Sequence, residues 1–478
     1  MTIRRVAMLS VHTCPLATLG GKETGGMNVY VRELTRELSQ PAGGYATPQA
    51  GTPSRAKRGQ RGLAVDVFTR SQNPALPRIS SGGLLGPNGR VIHLPAGPER
   101  PYDKNAILAH LPEFVEGVQA FADREGICYD VLYSHYWLSG LAARELRARW
   151  GAPIVQMFHT LGKMKNLAAQ SAAEMESPQR IASEAEIMRF ADRVIAATTL
   201  EREQMQALYG ADPTRISVVP PGVDLARFQR VPAAEAKARV GAPCEHQMIL
   251  FVGRIQPIKG IDTLIQAVAL VLAREPELRS NTCLAIIGGD TQRSGDAESG
   301  QSEMARLKTL RESLGMGDLV TFLGSKDQDT LADYYSAATV VVVPSHYESF
   351  GMVALEAMAC GTPVIASDVG GLSVNIAEGF NGYLVPAGDA EALADKLTLL
   401  MKHPSLREYL GDQAMRWAER YSWSTIADEI LDVFGQALAG AGDPAPAGGE
   451  ALDRREGVDA GAIPSGRPEQ SPGWRDSA

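Results

Sequence analysis

Cysteine is scarce: five in 478 residues, at 14, 128, 244, 283 and 360, with no C-x-x-C pair. An odd, scattered set excludes a disulfide framework and a zinc ribbon. Cys283 and Cys360 lie in apolar surroundings and read as small core residues. Long apolar runs are also missing. No stretch reaches the length of a membrane-spanning helix, and the short run after Arg4-Arg5 ends at His12, too soon for a secretory signal. The expected location is the cytoplasm. A surplus of positive charge is missing too. There are 47 Lys and Arg against 55 Asp and Glu, a formal net charge of −8. This excludes a nucleic-acid binder relying on a broad basic surface, while leaving room for local basic pockets. No short-period repeat is visible.

What is present is ordinary globular composition, 44% hydrophobic and 21% charged. The length exceeds what one core serves, so two domains are expected. The densest pattern is Pro344 to Pro363. The apolar run Thr339 to Val343 reads as a buried strand, and a helix is expected over 349–360, stopped by Gly361 and Pro363. A second buried strand, Val364 to Ser367, follows at once. Such a strand-loop-helix-strand unit has a parallel crossover and binds ligands at its strands' carboxyl ends. The helix N-terminus suits a phosphate, and Gly351 permits close approach to the backbone. Glu348 and Glu356 are separated by eight residues, roughly 12 Å of helix. They would hold two ends of one long ligand; alternatively Glu348 caps the helix and Glu356 is solvated.

Glu348-x7-Glu356, within Ser-Phe-Gly-Met-Val-Ala-Leu-Glu-Ala-Met-Ala-Cys-Gly-Thr-Pro-Val, resembles the signature of the retaining family-4 glycosyltransferases. The resemblance implies the glycosyltransferase-B architecture, an α/β fold of two doubly wound Rossmann-like domains facing a cleft. It implies that Glu348 contacts the sugar of a UDP-sugar donor and Glu356 the nucleotide ribose. Phe350, Gly351, Met352 and Val353 would line the donor site.

In the amino-terminal half, strands are expected at 5–11, 63–69, 91–95, 131–134, 154–158 and 193–197, the last closing this half. The first runs into a glycine-rich turn ending Gly25-Gly26-Met27-Asn28, which is not G-x-G-x-x-G; a dinucleotide-binding oxidoreductase is therefore set aside. The turn reads as a ligand cradle or, alternatively, a flexible loop. Lys104, Tyr136, Thr160 and Arg180 fall on or near successive strand exits. Two cations and two hydroxyls make a phosphate pocket, unless each is simply solvated. Here Gly25-Gly-Met-Asn28, Ser134 to Gly140, His159-Thr-Leu161 and Val219 to Asp224 resemble the branch of the family that glycosylates D-inositol 3-phosphate in mycothiol synthesis, with sucrose-phosphate synthases as near cousins. That implies an acceptor phosphate held by Lys104, Tyr136, Thr160 and Arg180, with Asn28 also on the acceptor side. It implies that Gly26 faces the donor and that His159 lies at the reaction centre.

Pro220-Pro221-Gly222 marks a linker. Beyond it a helix is expected over 233–240, then a strand over 248–252 leading to Gly253-Arg254 and Lys259-Gly260. Arg254 and Lys259 flank a strand exit, where a cation pair would neutralise a leaving diphosphate. Their match to the family's G-R-x-x-x-x-K element implies that role, and Lys326 would lie near the uracil. Residues 291–304 read as a mobile loop, and Asp327-x-Asp329 as a helix cap rather than a metal pair. The family generally needs no catalytic metal and no other cofactor.

The expected domains are 1–222, with a mobile insertion at 40–62; 223–418; a helix over 419–438 that crosses back; and a disordered tail over 439–478. The expected activity is retaining transfer from UDP-N-acetylglucosamine or UDP-glucose to a hydroxyl of a small phosphorylated acceptor such as inositol phosphate. The rivals are a sucrose or sucrose-phosphate synthase, a lipid- or polysaccharide-directed transferase, and a non-catalytic sugar-nucleotide binder. The last would have lost Arg254, Lys259 or Glu348, and all three are present. Oligomeric state is not encoded in any recognisable pattern.

Overall fold

The computed structural model describes residues 2–18, 24–41, 61–169, 172–289 and 297–440. Residues 42–60 of the expected insertion, 291–296 of the expected loop 291–304 and 441–478 of the expected tail 439–478 lie outside the described residues, while residues 439 and 440 are helical rather than tail. The amino-terminal half begins with β1 (Arg5–Leu9), α1 (Gly26–Ser39), β2 (Ala64–Arg70), β3 (Ile79–Ser81) and β4 (Gly89–Leu94). It continues through α2 (Leu111–Glu125), β5 (Val131–His135), α3 (Tyr136–Trp150) and β6 (Ile154–Met157). It ends with α4 (Gly162–Ala168), α5 (Pro178–Phe190), β7 (Arg193–Ala196), α6 (Thr199–Tyr209) and β8 (Ile216–Val218). These strands form one sheet in the order β3-β4-β2-β1-β5-β6-β7-β8, parallel except where β3 meets β4. The half therefore closes one strand later than expected, on β8.

The second sheet follows α7 (Ala233–Val240). Its first part is β9 (Gln247–Val252), α8 (Ile261–Arg274), β10 (Thr282–Ile287), α9 (Ala297–Ser313), β11 (Val320–Phe322) and α10 (Gln328–Ala337). Then come β12 (Val340–Val343), α11 (Met352–Ala359), β13 (Val364–Ser367), α12 (Leu372–Asn375) and β14 (Gly382–Val385). The order is β11-β10-β9-β12-β13-β14, all parallel. The expected loop at 291–304 is overturned from residue 297, where α9 begins. α13 (Ala390–Lys402), α14 (Pro404–Ala418) and α15 (Trp423–Gly440) complete the described chain.

Parallel strands covered by crossover helices are buried on both faces, and the sequence shows it: Val340 to Val343 are all buried valines. Both sheets are Rossmann-like, reversing strand order once, between β1 and β5 in the first and between β9 and β12 in the second. A crevice opens at such switch points, outside the carboxyl ends of the flanking strands. The chain passes between the halves side by side. Val223 N–H donates to the Tyr421 carbonyl at 2.7 Å, and α15 packs on α1, β6 and β7 of the first sheet.

Candidate active site

The two arms of the second switch point meet. Lys259 follows β9, Glu348 follows β12, and the Lys259 Nζ lies 2.5 Å from Glu348 Oε2. Two glycines set this up. Gly260 has φ +62°, and a Cβ there would sit 2.1 Å from the Pro344 carbonyl oxygen, so only glycine lets the Lys259 loop press against the end of β12. Gly351 has φ +92° and is the residue before α11. It delays the helix to Met352, three residues later than expected, leaving 345–350 as loop. Glu348 is thus an ion-pair partner and not a helix cap. Glu356 is not solvated either. It is 7% exposed and accepts a hydrogen bond from Tyr335 Oη at 2.8 Å. Burial lifts its pKa from 4.5 to about 7, against the pull of Tyr335, Gln328, Arg227 and Arg32. Phe350 is buried, Met352 and Val353 form the first, half-buried turn of α11, and a Cβ on Gly26 would meet Met352 Sδ at 3.2 Å. The glycine-rich turn and the start of α11 therefore touch across the cleft. Arg254 lies half-buried just past β9, and Lys326 just past β11.

Among the described residues two non-glycine residues have positive φ: Tyr136 at 73° and His159 at 62°. Such backbone costs on the order of 1–3 kcal/mol each and persists where surroundings enforce it. Tyr136 follows β5 and His159 follows β6. The strained Tyr136 carbonyl accepts from Gln156 Nε2 at 3.2 Å, and Gln156 Oε1 in turn accepts from Ser134 Oγ at 2.5 Å. His159 Nε2 lies 3.0 Å from His135 Nδ1, and the His12 ring stacks 4.4 Å from Tyr136 across the first switch point. Burial lowers the pKa of both His12 and His159 to about 3, so both rings are neutral at pH 7. The His12 Nδ1 and His135 Nε2 atoms are buried and have no hydrogen-bond partner.

The four residues of the expected phosphate pocket are brought together. Arg180 is 1% exposed, donates through Nη2 to the Thr160 carbonyl (2.8 Å) and Oγ1 (3.1 Å), and lies 4.7 Å over the Tyr136 ring. Its Nε holds Glu184 at 2.7 Å and its Nη1 holds Glu176 at 2.9 Å. Lys104 reaches the same Glu176 oxygen at 3.3 Å, and Lys165 pairs with it as well. Glu176 is buried. Burial alone would raise its pKa, but Arg180, Lys104 and Lys165 overturn that and hold it at about 2. Asn28 is turned to the loop itself: its Oδ1 accepts from Gly25 N–H at 2.9 Å, and its Nδ2 donates to Thr13 Oγ1 and the Cys14 carbonyl, both at 2.7 Å.

Asp327 caps α10, accepting from Thr330 N–H at 2.7 Å, and Asp329 pairs with Arg227 at 2.7 Å. Sequence reasoning missed Glu176, Glu184, Gln156, His12 and Tyr347. Tyr347 precedes Glu348 yet lies toward the other half, where burial, with the Glu201 carboxylate nearby, raises its pKa. Its place beside Glu348 was the one available signal.

Residues 25–222 match the Glycosyl transferase 4-like domain, and residues 233–417 match Glycosyl transferases group 1. A D-inositol 3-phosphate glycosyltransferase of Nocardiopsis dassonvillei is 41% identical over 431 residues, 90% of this chain and 94% of the relative. The enzyme of that name from Acidothermus cellulolyticus is 42% identical over 439 residues, 92% and 91% of the two chains. Among solved structures, a sucrose-phosphate synthase of Thermosynechococcus elongatus aligns with TM-score 0.79 at 33% identity, over 91% of this chain and 99% of that one. An Anabaena protein solved with UDP-glucose shares the fold at TM-score 0.66 and 19% identity, over 90% of this chain and 99% of that one. No helix among the described residues is long and apolar enough to cross a membrane. With both halves matched and relatives aligned along nearly their whole length, the chain belongs to the glycosyltransferases that join a 4-like amino-terminal domain to a group 1 carboxy-terminal domain, and it is a glycosyltransferase.

Proposed function

We propose that the protein moves a sugar from UDP-N-acetylglucosamine or UDP-glucose, with retention of configuration, to a hydroxyl of an inositol phosphate or similar small phosphorylated polyol in the cytoplasm. No metal or other cofactor is needed in this reading. The observation that carries it is the convergence of Lys104, Lys165 and Arg180 on one carboxylate beside Thr160 and Tyr136, a ready-made anion pocket. The names of the 41% identical relatives support the inositol phosphate. In this reading Glu348 orients the donor sugar, Glu356 the ribose, Gly26 and the α11 N-terminus face the diphosphate, and Lys326 the uracil. Arg254 and Lys259 neutralise the departing UDP, the role that preorganised charge fills best. His159 lies at the anomeric centre. The acceptor oxygen bonds to the anomeric carbon, the bond to the diphosphate breaks with its electron pair on UDP, and the acceptor proton passes to that leaving phosphate. Asn28 holds the cradle on the acceptor side.

The 33% identical sucrose-phosphate synthase favours a second reading, transfer to fructose 6-phosphate. The test is product detection by mass spectrometry. Each UDP-sugar is offered with inositol phosphate, fructose 6-phosphate or fructose. An N-acetylglucosaminyl- or glucosyl-inositol phosphate is expected; a sucrose-type product would replace the acceptor, and no product from any pair would overturn the reading.

A further inference from the structure

The acceptor pocket already holds an anion of its own. Glu176 lies two residues before α5, and its backbone is pinned by Asn166: Glu176 N–H donates to Asn166 Oδ1 at 2.7 Å, and Asn166 Nδ2 donates to the Glu176 carbonyl at 3.3 Å. Among the described residues the carboxylate is held by the three cations of the pocket, which all reach its Oε1, and by no backbone N–H. Arg180 also carries the fully buried Glu184, which in turn accepts from Gly162 N–H and Tyr209 Oη. Two of the anions facing this cluster thus differ in kind. Glu184 is locked into the frame by three donors, and Glu176 is a side chain on a fixed base, able to leave by rotation.

We propose that Glu176 is a specificity-determining residue, a resident counter-ion that the acceptor's phosphate displaces. The argument is one of charge and valence. Three cations crowded in a half-buried pocket repel one another, and a carboxylate relieves that when the pocket is empty. To displace it a ligand must offer more than it does. A neutral polyol offers no charge. A carboxylate exchanges like for like and gains nothing. A phosphate dianion brings two charges and three oxygens to three cations, and with Glu176 gone the cluster of Lys104, Lys165, Arg180, Glu184 and phosphate is neutral. Selection for a phosphorylated acceptor is then exerted by competition as well as by attraction, which is how discrimination against a near relative is commonly obtained. The inference rests on the reading of this pocket as the acceptor-phosphate site.

The test is calorimetric titration of the full chain with inorganic phosphate and with acetate, for the wild type, Glu176→Gln, Glu176→Ala and Arg180→Lys, each checked for unchanged circular dichroism. A phosphate-soaked crystal of the wild type goes with it. Glu176→Gln is expected to bind phosphate about tenfold more tightly and to acquire measurable acetate binding, Glu176→Ala to follow it, and Arg180→Lys to weaken phosphate at least tenfold. In the crystal the Glu176 carboxylate is expected beyond 4 Å from Arg180 Nη1, the limit for an ion pair. If Arg180→Lys weakens phosphate while both Glu176 variants bind it no more tightly, Glu176 is part of the frame and the inference is overturned, though the pocket stands. Phosphate bound with the carboxylate still in place overturns it equally. If phosphate binds none of the proteins, the pocket reading falls and takes the inference with it.

Discussion

The two switch points of this molecule solve one geometric problem differently. In the carboxy-terminal half the arms after β9 and β12 meet as a single ion pair, Lys259 with Glu348, both partly exposed. In the amino-terminal half the arms after β1 and β5 meet as neutral rings, His12 on Tyr136, and the charge is gathered one layer behind, in the buried cluster around Arg180. An exposed pair is exchangeable: a ligand can take either partner without unfolding anything. A pair locked into the frame, as Arg180 with Glu184 is, cannot be exchanged that way, because removing one partner leaves uncompensated charge. The same kind of substitution should therefore act on turnover in one half and on folding in the other.

The sharpest way to break that comparison is Glu348→Gln with Lys259→Ala as its partner. Each is expected to lower kcat by about 100-fold or more with an unchanged melting curve; full activity in either would remove the pair from the chemistry. Arg180→Ala is expected to do the opposite, costing about 3–5 kcal/mol of stability because Glu184 is left buried and unpaired. Denaturant titration reads this directly. Arg180→Lys keeps the charge and should raise the acceptor KM by about tenfold with kcat little changed, as loss of the bidentate fork predicts.

A smaller effect should appear with pH. Glu356 has its folded pKa raised from 4.5 to about 7, so its neutral form suits the fold. Its contribution is fully present below pH 4.5 and lost as pH rises towards 7, up to about 3 kcal/mol at 1.36 kcal/mol per unit. Buried Glu201 acts in the same sense, while the neutral His12 and His159 act in the opposite one up to pH 6.5, so the reading is a difference: between pH 4.5 and 7 the melting temperature of Glu356→Gln should rise relative to that of the wild type. Identical slopes in the two proteins would contradict the assignment. The smallest effect is reserved for Gly26→Ala. Among the described residues its new methyl meets the flexible Met352 Sδ, so stability should hold while the donor KM rises a few-fold.

The same contrast governs what could be read from the chain. The carboxy-terminal side of the cleft was legible because it is contiguous: one strand, one loop and one helix carry Glu348, Gly351 and Glu356, and the burial of Val340 to Val343 shows in the sequence. What failed there was local. Nothing in Ser349-Phe350 announces that a left-handed Gly351 will hold the helix back to Met352. The amino-terminal side was legible only as a set of residue types at strand exits. That Arg180 is buried, and that Glu176 sits among its three cations, depends on how α5 packs against α3 and α4 and meets Thr160 in the loop after β6. Periodicity cannot report this. The positive φ of Tyr136 and His159 is likewise imposed by tertiary contacts, Gln156 among them. The short strands β3, β8 and β14 have too few residues to show alternation, and the polar start of α9 looked like a loop because its helical signal lies downstream.

One feature of the fold bears on how the protein is made. Trp423 packs 5.5 Å from Tyr30, and Phe434 5.4 Å from Tyr133, so α15 covers aromatic rings that belong to the first sheet. The ribosome delivers that first sheet long before α15. Until the whole second sheet has been synthesised, the rings of Tyr30 and Tyr133 lack their cover. The nascent amino-terminal half must therefore wait, with an apolar face uncovered, for a helix encoded on the far side of another domain, a period in which chaperones have something to hold.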